Sequence, residues 1–342
     1  MLQIVQASEK DAPAWDEFVI ARKEATPYHL FGWRQAIEEV YGFRPFYLMA
    51  LDQARKVRGV LPLFEIRRLG GGKAACSIPF CNYAGVIADA AEVEEKLLER
   101  VFSLAEQQLW SSVELRSLKP GKHSCTVNLE HVTQVVDLPA EADILWKKLD
   151  RKLRWMIRKA EKTGLKVIID RERVEDFYLV YSENMRDLGT PTHSAHFFRR
   201  LLQVFPEQAG LIMLYLEDEP VGGMFVFHFR DLLTDPWASS LRKYFDIFPN
   251  YLLYWQAFRH AISLGATRFD LGRSQPGSGT FNFKKKWGAL VHQLYYLELV
   301  SGPGKFKPKY KRLFLEKLSS LYSHLPLPVS RIVGPGLRRF LP

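Results

Sequence analysis

Apolar and polar residues alternate along this chain in two similar halves. The spacing in the first half predicts, in order, a helix over 28–41, a hairpin of strands 46–51 and 57–64, a helix over 91–108 and a strand over 112–116. The second half is predicted to contain a helix over 196–205, a hairpin of strands 210–217 and 221–229, a helix over 250–264, a strand over 267–271 and a last strand over 291–299. The shared order predicts a mixed α/β fold in both halves.

Short motifs indicate that the two halves arose by duplication. Val113–Ser117 reads Val-Glu-Leu-Arg-Ser and leads to Pro-Gly, and Phe269–Ser274 reads Phe-Asp-Leu-Gly-Arg-Ser and also leads to Pro-Gly. A repeat distance of about 160 residues is too long for a solenoid and fits a duplicated domain. We therefore predict one domain over residues 1–140, a second over 141–302, and a tail over 303–342.

A basic helix is predicted over 142–163, and Gly164 ends it. Its apolar residues form one stripe, and Arg151, Arg154 and Arg158, called here the arginine row, lie on the opposite face. Such a row is either a basic face in water or a site for phosphate, whose oxygens guanidinium groups bind in pairs. The spacing by itself leaves both interpretations open.

The net charge of +10 is concentrated near the C-terminus. Residues 303–342 carry nine basic side chains and one acid, a net charge of +8, so the rest of the chain is close to neutral. A short amphipathic helix is predicted over 310–324 from the spacing of Tyr310, Phe314, Leu318, Leu321 and Leu325. This helix either packs on the body or makes a peripheral contact with the inner face of a membrane.

The cysteines, the histidines and the apolar stretches of the chain bear on its cellular compartment and on metal binding. The three cysteines include no Cys-x-x-Cys pair, which predicts neither a disulfide framework nor a zinc site. His193 and His196 lie three residues apart without an evident third ligand, so no metal is expected. No apolar stretch approaches the roughly 18 residues of a membrane span, and the N-terminus lacks the pattern of a signal peptide. We expect a cytoplasmic protein.

Three sequence blocks resemble one known family. They are Arg151–Gly164 (RKLRWMIRKAEKTG), Asp187–His193 (DLGTPTH) and Phe269–Gly288 (FDLGRSQPGSGTFNFKKKWG). Together with the duplicated halves, they resemble the Fem family of peptidyl and aminoacyl transferases, in particular the FemAB-like proteins associated with exosortase and exopolysaccharide systems. The resemblance covers residues 1–300 and is most specific over 269–288.

The resemblance implies a fold and an activity. The fold is two tandem GNAT-like domains, each a mixed, mostly antiparallel sheet flanked by helices. The activity is transfer of an aminoacyl or acyl group to an amine of a phosphate-bearing envelope or exopolysaccharide precursor. The donor is either aminoacyl-tRNA, bound by its acceptor end, or acyl-CoA. Ser239–Asn250 lacks the glycine-containing loop that cradles the coenzyme A pyrophosphate in other GNAT proteins, which disfavours acetyl-CoA.

The resemblance also implies positions for the site. Phe283 and Lys284 correspond to a Phe-Lys pair beside the reacting ester. The arginine row lies on the helix that helps to hold the phosphates of the acceptor. The segment from Tyr83 to Asp89 is similar to a first-half loop that contacts the acceptor.

The chemistry of aminolysis supports a role for Lys284. Attack of an amine on an ester builds negative charge on the carbonyl oxygen, which a cationic donor stabilises. The alternative is that Lys284 is one of several surface charges on a strand-like segment. Arg273 is a candidate phosphate ligand, and Asp270 either accepts the proton of the amine or, as we favour, orients Arg273. The loop 272–279 is either an anion-binding nest or a plain turn.

Two other functions stay open at this point. The first is an acyl-CoA-dependent N-acyltransferase that acts on an amino sugar. The second is a non-catalytic scaffold for envelope assembly, which would use the basic tail to hold lipid or protein partners.

Overall fold

The computed structural model describes residues 2–68, 71–120, 126–299 and 312–341, with the side chains of 312–315 excepted. The strands are β1 (Gln3–Gln6), β2 (Arg44–Pro45), β3 (Leu48–Leu51), β4 (Val57–Leu61), β5 (Phe64–Arg67), β6 (Lys73–Cys76), β7 (Ile87–Ala88), β8 (Trp110–Ser117), β9 (Thr126–Asn128), β10 (Val132–Asp137), β11 (Leu165–Ile169), β12 (Ala209–Leu216), β13 (Glu219–Phe229), β14 (Leu232–Ser240), β15 (Arg268–Ser274), β16 (Leu290–Gln293) and β17 (Tyr295–Leu299). The helices are α1 (Ala12–Ile20), α2 (Gly32–Tyr41), α3 (Ala91–Gln107), α4 (Ala142–Lys148), α5 (Arg151–Glu161), α6 (Val174–Asp187), α7 (Ala195–Val204), α8 (Pro249–Ser263), α9 (Gly279–Lys285), α10 (Arg312–Ser323) and α11 (Leu327–Arg338).

The chain divides into two compact units. Unit 1 consists of Met1–His131, Gln293–Lys309 and Arg339–Pro342, and unit 2 consists of Val132–His292 and Tyr310–Arg338. The strand β10 precedes the predicted boundary at residue 141 but belongs to the sheet of unit 2, and β17 precedes residue 302 but belongs to a sheet of unit 1.

Unit 1 contains two sheets. The first has the strand order β1-β3-β4-β7 and the second has the order β2-β5-β6-β8-β17-β9. Helix α3 packs against the core of this unit with a row of apolar side chains at helical spacing. The row includes Val93, Leu97, Val101 and Leu104. Its first turn carries Glu92 and Glu94, where acidic groups complement the helix dipole.

Unit 2 is built on one seven-stranded sheet in the order β11-β12-β13-β14-β15-β10-β16. The pairs β11–β12, β12–β13, β13–β14 and β10–β15 are antiparallel, whereas β14 and β15 are parallel. The core of this unit includes apolar residues of α5 and α8 and of the strands they cover. Both units are therefore mixed sheets flanked by helices, and the predicted fold class is confirmed.

Two predicted elements need correction, and one strand was not predicted. The single helix over 142–163 is two helices, because Leu149 is extended and the carboxylate of Asp150 caps a new helix by accepting from the Lys152 amide at 2.7 Å. The single strand over 291–299 is two strands in different sheets. The strand β14 was missed, because Asp235 and Pro236 in its middle are atypical of strands.

The apolar stripe predicted for the tail also needs correction. Helix α10 is present, but Leu321 is 71% exposed and Tyr322 is the residue buried there. Tyr310 lies outside the described residues, as does the side chain of Phe314. None of the described helices combines the length and apolar character needed to cross a bilayer.

Candidate functional site

The parallel strands β14 and β15 part in the middle of the unit 2 sheet. Their pairing covers Leu232 to Thr234 on one strand and Arg268 to Asp270 on the other. Beyond this point β14 continues beside β13 and β15 continues beside β10. Polar groups that would pair across a regular sheet are thus available to side chains or a ligand at the split.

Lys284 reaches this split from helix α9. The helix starts at a Ser278 cap, whose hydroxyl accepts from the Phe281 amide at 3.1 Å, and it places Lys284 inward while Lys285 stays exposed. Lys284 is 4% exposed, and its Nζ donates to the carbonyls of Gly272 at 2.9 Å and Arg273 at 3.0 Å. The alternative that Lys284 is a surface charge on a strand-like segment is therefore wrong.

The backbone of β15 explains why two consecutive carbonyls meet one ammonium. Gly272 has a φ of 73°, a left-handed conformation that glycine adopts without strain. The pairing with β10 shifts register at the same place, with two residues of β10 against three of β15. This bulge interrupts the alternation of carbonyl directions. An ammonium has three donors, and within the described residues the third N–H of Lys284 has no hydrogen-bond partner.

A second buried charge faces Lys284, and the sequence did not predict it. Asp235 lies just beyond the last β14–β15 pair, and its buried Oδ1 has no hydrogen-bond partner among the described residues. Burial raises the pKa of Asp235 to about 7, although Lys284 and a hydrogen bond from the Tyr254 hydroxyl oppose the shift. Burial likewise lowers the pKa of Lys284, against the attraction of Asp235 and Asp270. The two groups form a coupled buried pair.

Asp270 is held by the strands around it. Its Oδ1 accepts from the Thr133 hydroxyl at 2.5 Å and from the Gly272 amide at 2.8 Å. The Gly272 amide is thus already bonded, which removes it from the predicted anion nest. Arg273 lies on the exposed side of the same strand. Lys284, Asp270 and Arg273 therefore lie close to one another at the split.

Phe283 belongs to an aromatic cluster next to Lys284. Its ring centroid lies 5.2 Å from that of Tyr251, 5.1 Å from that of Tyr254 and 6.1 Å from that of Trp287. Because Tyr254 also bonds Asp235, this cluster links the position of α9 to the buried charge pair. Phe283 is only partly buried.

The arginine row lies on α5 of the same unit. Arg151 and Arg158 are exposed and Arg154 is half-buried, and none of the three forms an ion pair within the described residues. The Arg158 guanidinium lies 5.3 Å from the ring of Trp146. The row is thus a set of unneutralised cations on a fixed helix, which is suited to bind an anion.

Tyr83 and Asp89 lie in unit 1. Tyr83 is buried, with its ring 5.5 Å from that of Tyr28. The Asp89 carboxylate bonds Arg58 at 2.5 Å and lies 3.6 Å from Arg22. Both residues thus make contacts that stabilise unit 1 itself.

Unit 1 contains a similar split between two parallel strands, but there the side chain of Arg116 connects the two sides of the split. The parallel pair β6–β8 ends at Cys76 and Glu114, as β14–β15 ends at Thr234 and Asp270. Arg116 is buried here, bonds Glu114 at 2.9 Å and donates to the Cys81 carbonyl at 2.8 Å, beyond the end of β6. Both units have an acid at this position. Among the described residues, only the unit 2 split combines it with a buried lysine and a buried carboxyl that has an unbonded oxygen.

A separate surface cleft of about 580 Å³ lies at the other end of α8. Gln256, His260 and Ser263 line it, and none of the predicted site residues does. Within the described residues, no group of three or more His, Cys, Asp or Glu side chains could hold a metal ion.

Part of the chain matches a known domain family. Residues 147–285 match the family model described as an acetyltransferase (GNAT) domain. The match starts at the end of α4 and ends at Lys285, so it includes the split and Lys284. No curated protein matches the sequence.

Solved structures show the fold over most of the chain. FemX is 15% identical, with a TM-score of 0.65 over 86% of this chain and 96% of that chain. The C-terminal domain of a putative lysylphosphatidylglycerol synthetase from Agrobacterium fabrum is 12% identical, with a TM-score of 0.57 over 84% and 92%. A tandem GNAT protein from the clavulanic acid pathway is 9% identical, with a TM-score of 0.52 over 89% and 100%. The predicted tandem GNAT-like fold is thus confirmed. The match of residues 147–285 to a GNAT acetyltransferase domain supports a transferase.

Proposed function

We propose that this chain transfers an aminoacyl or acyl group to an amine of a phosphate-bearing cell-envelope or exopolysaccharide precursor. The observation that supports it most is the buried Lys284, with one N–H unbonded at the split of β14 and β15. FemX and the lysylphosphatidylglycerol synthetase domain, which share the fold, lend support to an aminoacyl donor and an envelope acceptor.

The proposed reaction uses Lys284 to stabilise charge. The amine attacks the carbonyl carbon of the donor ester, a C–N bond forms, and the carbonyl oxygen becomes an oxyanion. The third N–H of Lys284, which is a buried side chain, donates to that oxyanion. Collapse of the intermediate breaks the bond to the leaving oxygen, or to sulfur if the donor is a thioester, and the leaving group takes up a proton.

Asp235 is the proposed proton acceptor. The attacking amine must lose a proton, and a carboxyl with a pKa of about 7 and an unbonded oxygen can take it near neutral pH. Asp270 is less suited, because its Oδ1 already accepts two hydrogen bonds from Thr133 and Gly272. We assign Asp270 the role of holding the β15 bulge that presents the two carbonyls to Lys284.

The arginine row and Arg273 are proposed to bind the phosphates of the acceptor. Replacement of either Arg154 or Arg158 by alanine should weaken binding of a phosphate-bearing acceptor by roughly 10-fold or more, because each lost charge-assisted hydrogen bond contributes about 1.5–3 kcal/mol. Titration calorimetry with a nucleotide-linked precursor measures this. Lys152→Ala is the matched control, since Lys152 is an exposed cation on the same helix outside the row. Equal loss in the control would point to a general charge effect instead.

The proposed function is tested directly by a transfer assay. Purified full-length chain is incubated with labelled aminoacyl-tRNA or labelled acetyl-CoA and with amine-bearing precursors that carry phosphate. Label in the amide product supports the proposal and identifies the donor. A chain that transfers neither label to any such amine would contradict it.

The GNAT domain match favours a second candidate, an acyl-CoA-dependent N-acyltransferase acting on an amino sugar. The segment before α8 offers no glycine, and Phe248 takes the left-handed conformation with a φ of 59° where the helix begins. We therefore expect weak binding of acetyl-CoA. Calorimetry is the test, and a dissociation constant of about 1 μM, equal to about 8 kcal/mol, would promote this candidate over aminoacyl transfer.

A further inference from the structure

Helix α11 has its apolar side facing outward. Ser330 and Gly334 are its buried residues, whereas Val329, Ile332 and Val333 are exposed, Ile332 at 80%. These three residues, called here the α11 face, follow the i, i+3, i+4 spacing of one side of a helix. Helices on the surface of globular proteins normally bury such a stripe. The α11 face is therefore an apolar surface that unit 2 leaves uncovered within the described residues.

Close packing fixes α11 in this orientation. A Cβ on Gly334 would lie 2.4 Å from the Tyr322 hydroxyl and 2.8 Å from a methyl carbon of Thr192, so only glycine fits there. The Tyr322 hydroxyl donates to the Ser330 carbonyl at 2.9 Å, and Arg331 donates to the Ser182 hydroxyl at 2.9 Å. These contacts hold the small residues inward. The helix cannot rotate to bury the α11 face without breaking them.

We infer that the α11 face docks this protein on an anionic lipid bilayer. Residues 303–342 carry a net charge of +8, and Lys317 on the neighbouring helix α10 is exposed. An apolar helix face within a basic segment is the pattern of a helix that lies in the headgroup plane. A second copy of the chain is a poorer occupant, because it would bring two segments of charge +8 together.

The helix rests on the surface rather than crossing it. At 12 residues, α11 is too short to span a bilayer, and it contains Pro335. Leu321, exposed at 71% on α10, adds a further apolar side chain to the same segment. The inference does not depend on the proposed transfer reaction, since vesicle binding is measured without substrate.

Co-sedimentation of the full-length chain with vesicles is the test. We expect pelleting with equimolar phosphatidylcholine and phosphatidylglycerol, and little with phosphatidylcholine alone. Ile332→Ser should weaken partition into the vesicles by about tenfold. The serine side chain lacks most of the transfer free energy that isoleucine gains when it inserts into the bilayer. Lys317→Gln should weaken it by roughly fivefold at low salt, and that difference should shrink as salt rises.

A matched control separates the α11 face from general hydrophobicity. Leu109 is 82% exposed, nearly the same fraction as Ile332, and it lies in unit 1. Leu109→Ser should leave the partition unchanged, and both variants should unfold at the wild-type temperature because neither side chain is buried.

Three outcomes would overturn the inference. One is the absence of pelleting with either vesicle. Another is equal loss in Ile332→Ser and Leu109→Ser. The third is a dimer in light scattering that Ile332→Ser dissociates, which would make a second copy of the chain the occupant.

Discussion

Replacement of Lys284 by alanine is expected to lower kcat by about 10²- to 10³-fold, the usual cost of removing one donor to an oxyanion. The reason is geometric. Two of the three Lys284 donors are bonded to the carbonyls of Gly272 and Arg273, which fixes the ammonium and leaves the third N–H for the reacting oxygen. The KM for the acceptor should change little, because Lys284 interacts with charge that exists only in the transition state.

The substitution also has a structural cost. Loss of the ammonium leaves two carbonyls without their donor, at about 1–3 kcal/mol each. Lys284→Met keeps most of the packing volume, so thermal unfolding of both variants should precede kinetics. Lys285→Ala is the matched control, since Lys285 is the exposed neighbour on α9. If folded Lys284→Met retained wild-type kcat, Lys284 would have no part in the reaction.

Asp235→Asn is the second variant with a large expected effect. Loss of a general base typically lowers the rate by about 10²- to 10⁴-fold. Because the pKa of Asp235 is raised to about 7, the wild-type rate should increase as pH rises through that value and the carboxylate forms. The asparagine variant should lack this ascending limb. A profile of kcat against pH for both proteins measures it, and Asp246→Asn, an exposed carboxyl on the same unit, is the control.

The raised pKa of Asp235 also affects the stability of the folded chain, in the opposite direction to its effect on activity. The folded-state pKa of Asp235, about 7, exceeds its ordinary value of 3.8, so the folded state binds the proton more tightly than the unfolded state does. The stabilisation from this carboxyl is complete below pH 3.8 and is lost as pH rises through about 7. Asparagine resembles the neutral form, so Asp235→Asn should gain stability over wild type above pH 7. Urea unfolding at two pH values would reveal a variant that is more stable and less active.

The two units contain similar splits between parallel strands but differ in the side chains that lie there. In both, an acid ends the parallel strand pair, Glu114 in one and Asp270 in the other. Unit 1 satisfies its acid and the neighbouring carbonyl with its own Arg116. Unit 2 leaves a lysine donor and a carboxyl oxygen unbonded, at the cost of two buried charges. Unsatisfied groups of this kind are typical of functional sites.

Part of the candidate site could be proposed from the sequence, where a family resemblance pointed to Lys284 and the strand end pointed to Asp270. The spacing from Asp270 to Lys284 is short, and a strand, a glycine turn and a Ser278-capped helix bring both residues to one place. Asp235 could not be found in this way. It lies in a strand that the sequence does not predict, because Pro236 is atypical of strands. Its partner Lys284 is also far away in sequence.

The sequence by itself determined the mixed α/β class, because the periodicity of helices and strands is a local pattern. The repeated Arg-Ser motifs are also local, and they predict a duplication. It also determined which helices carry positive charge. Only the tertiary structure decided that β10 and β17 each join the sheet of the other half of the chain. Any strand with alternating apolar and polar residues can pair with the backbone groups at a sheet edge. Which edge it joins depends on hydrogen bonds and burial between residues far apart in sequence. The same holds for α11, where close packing around Gly334 turned the apolar side outward.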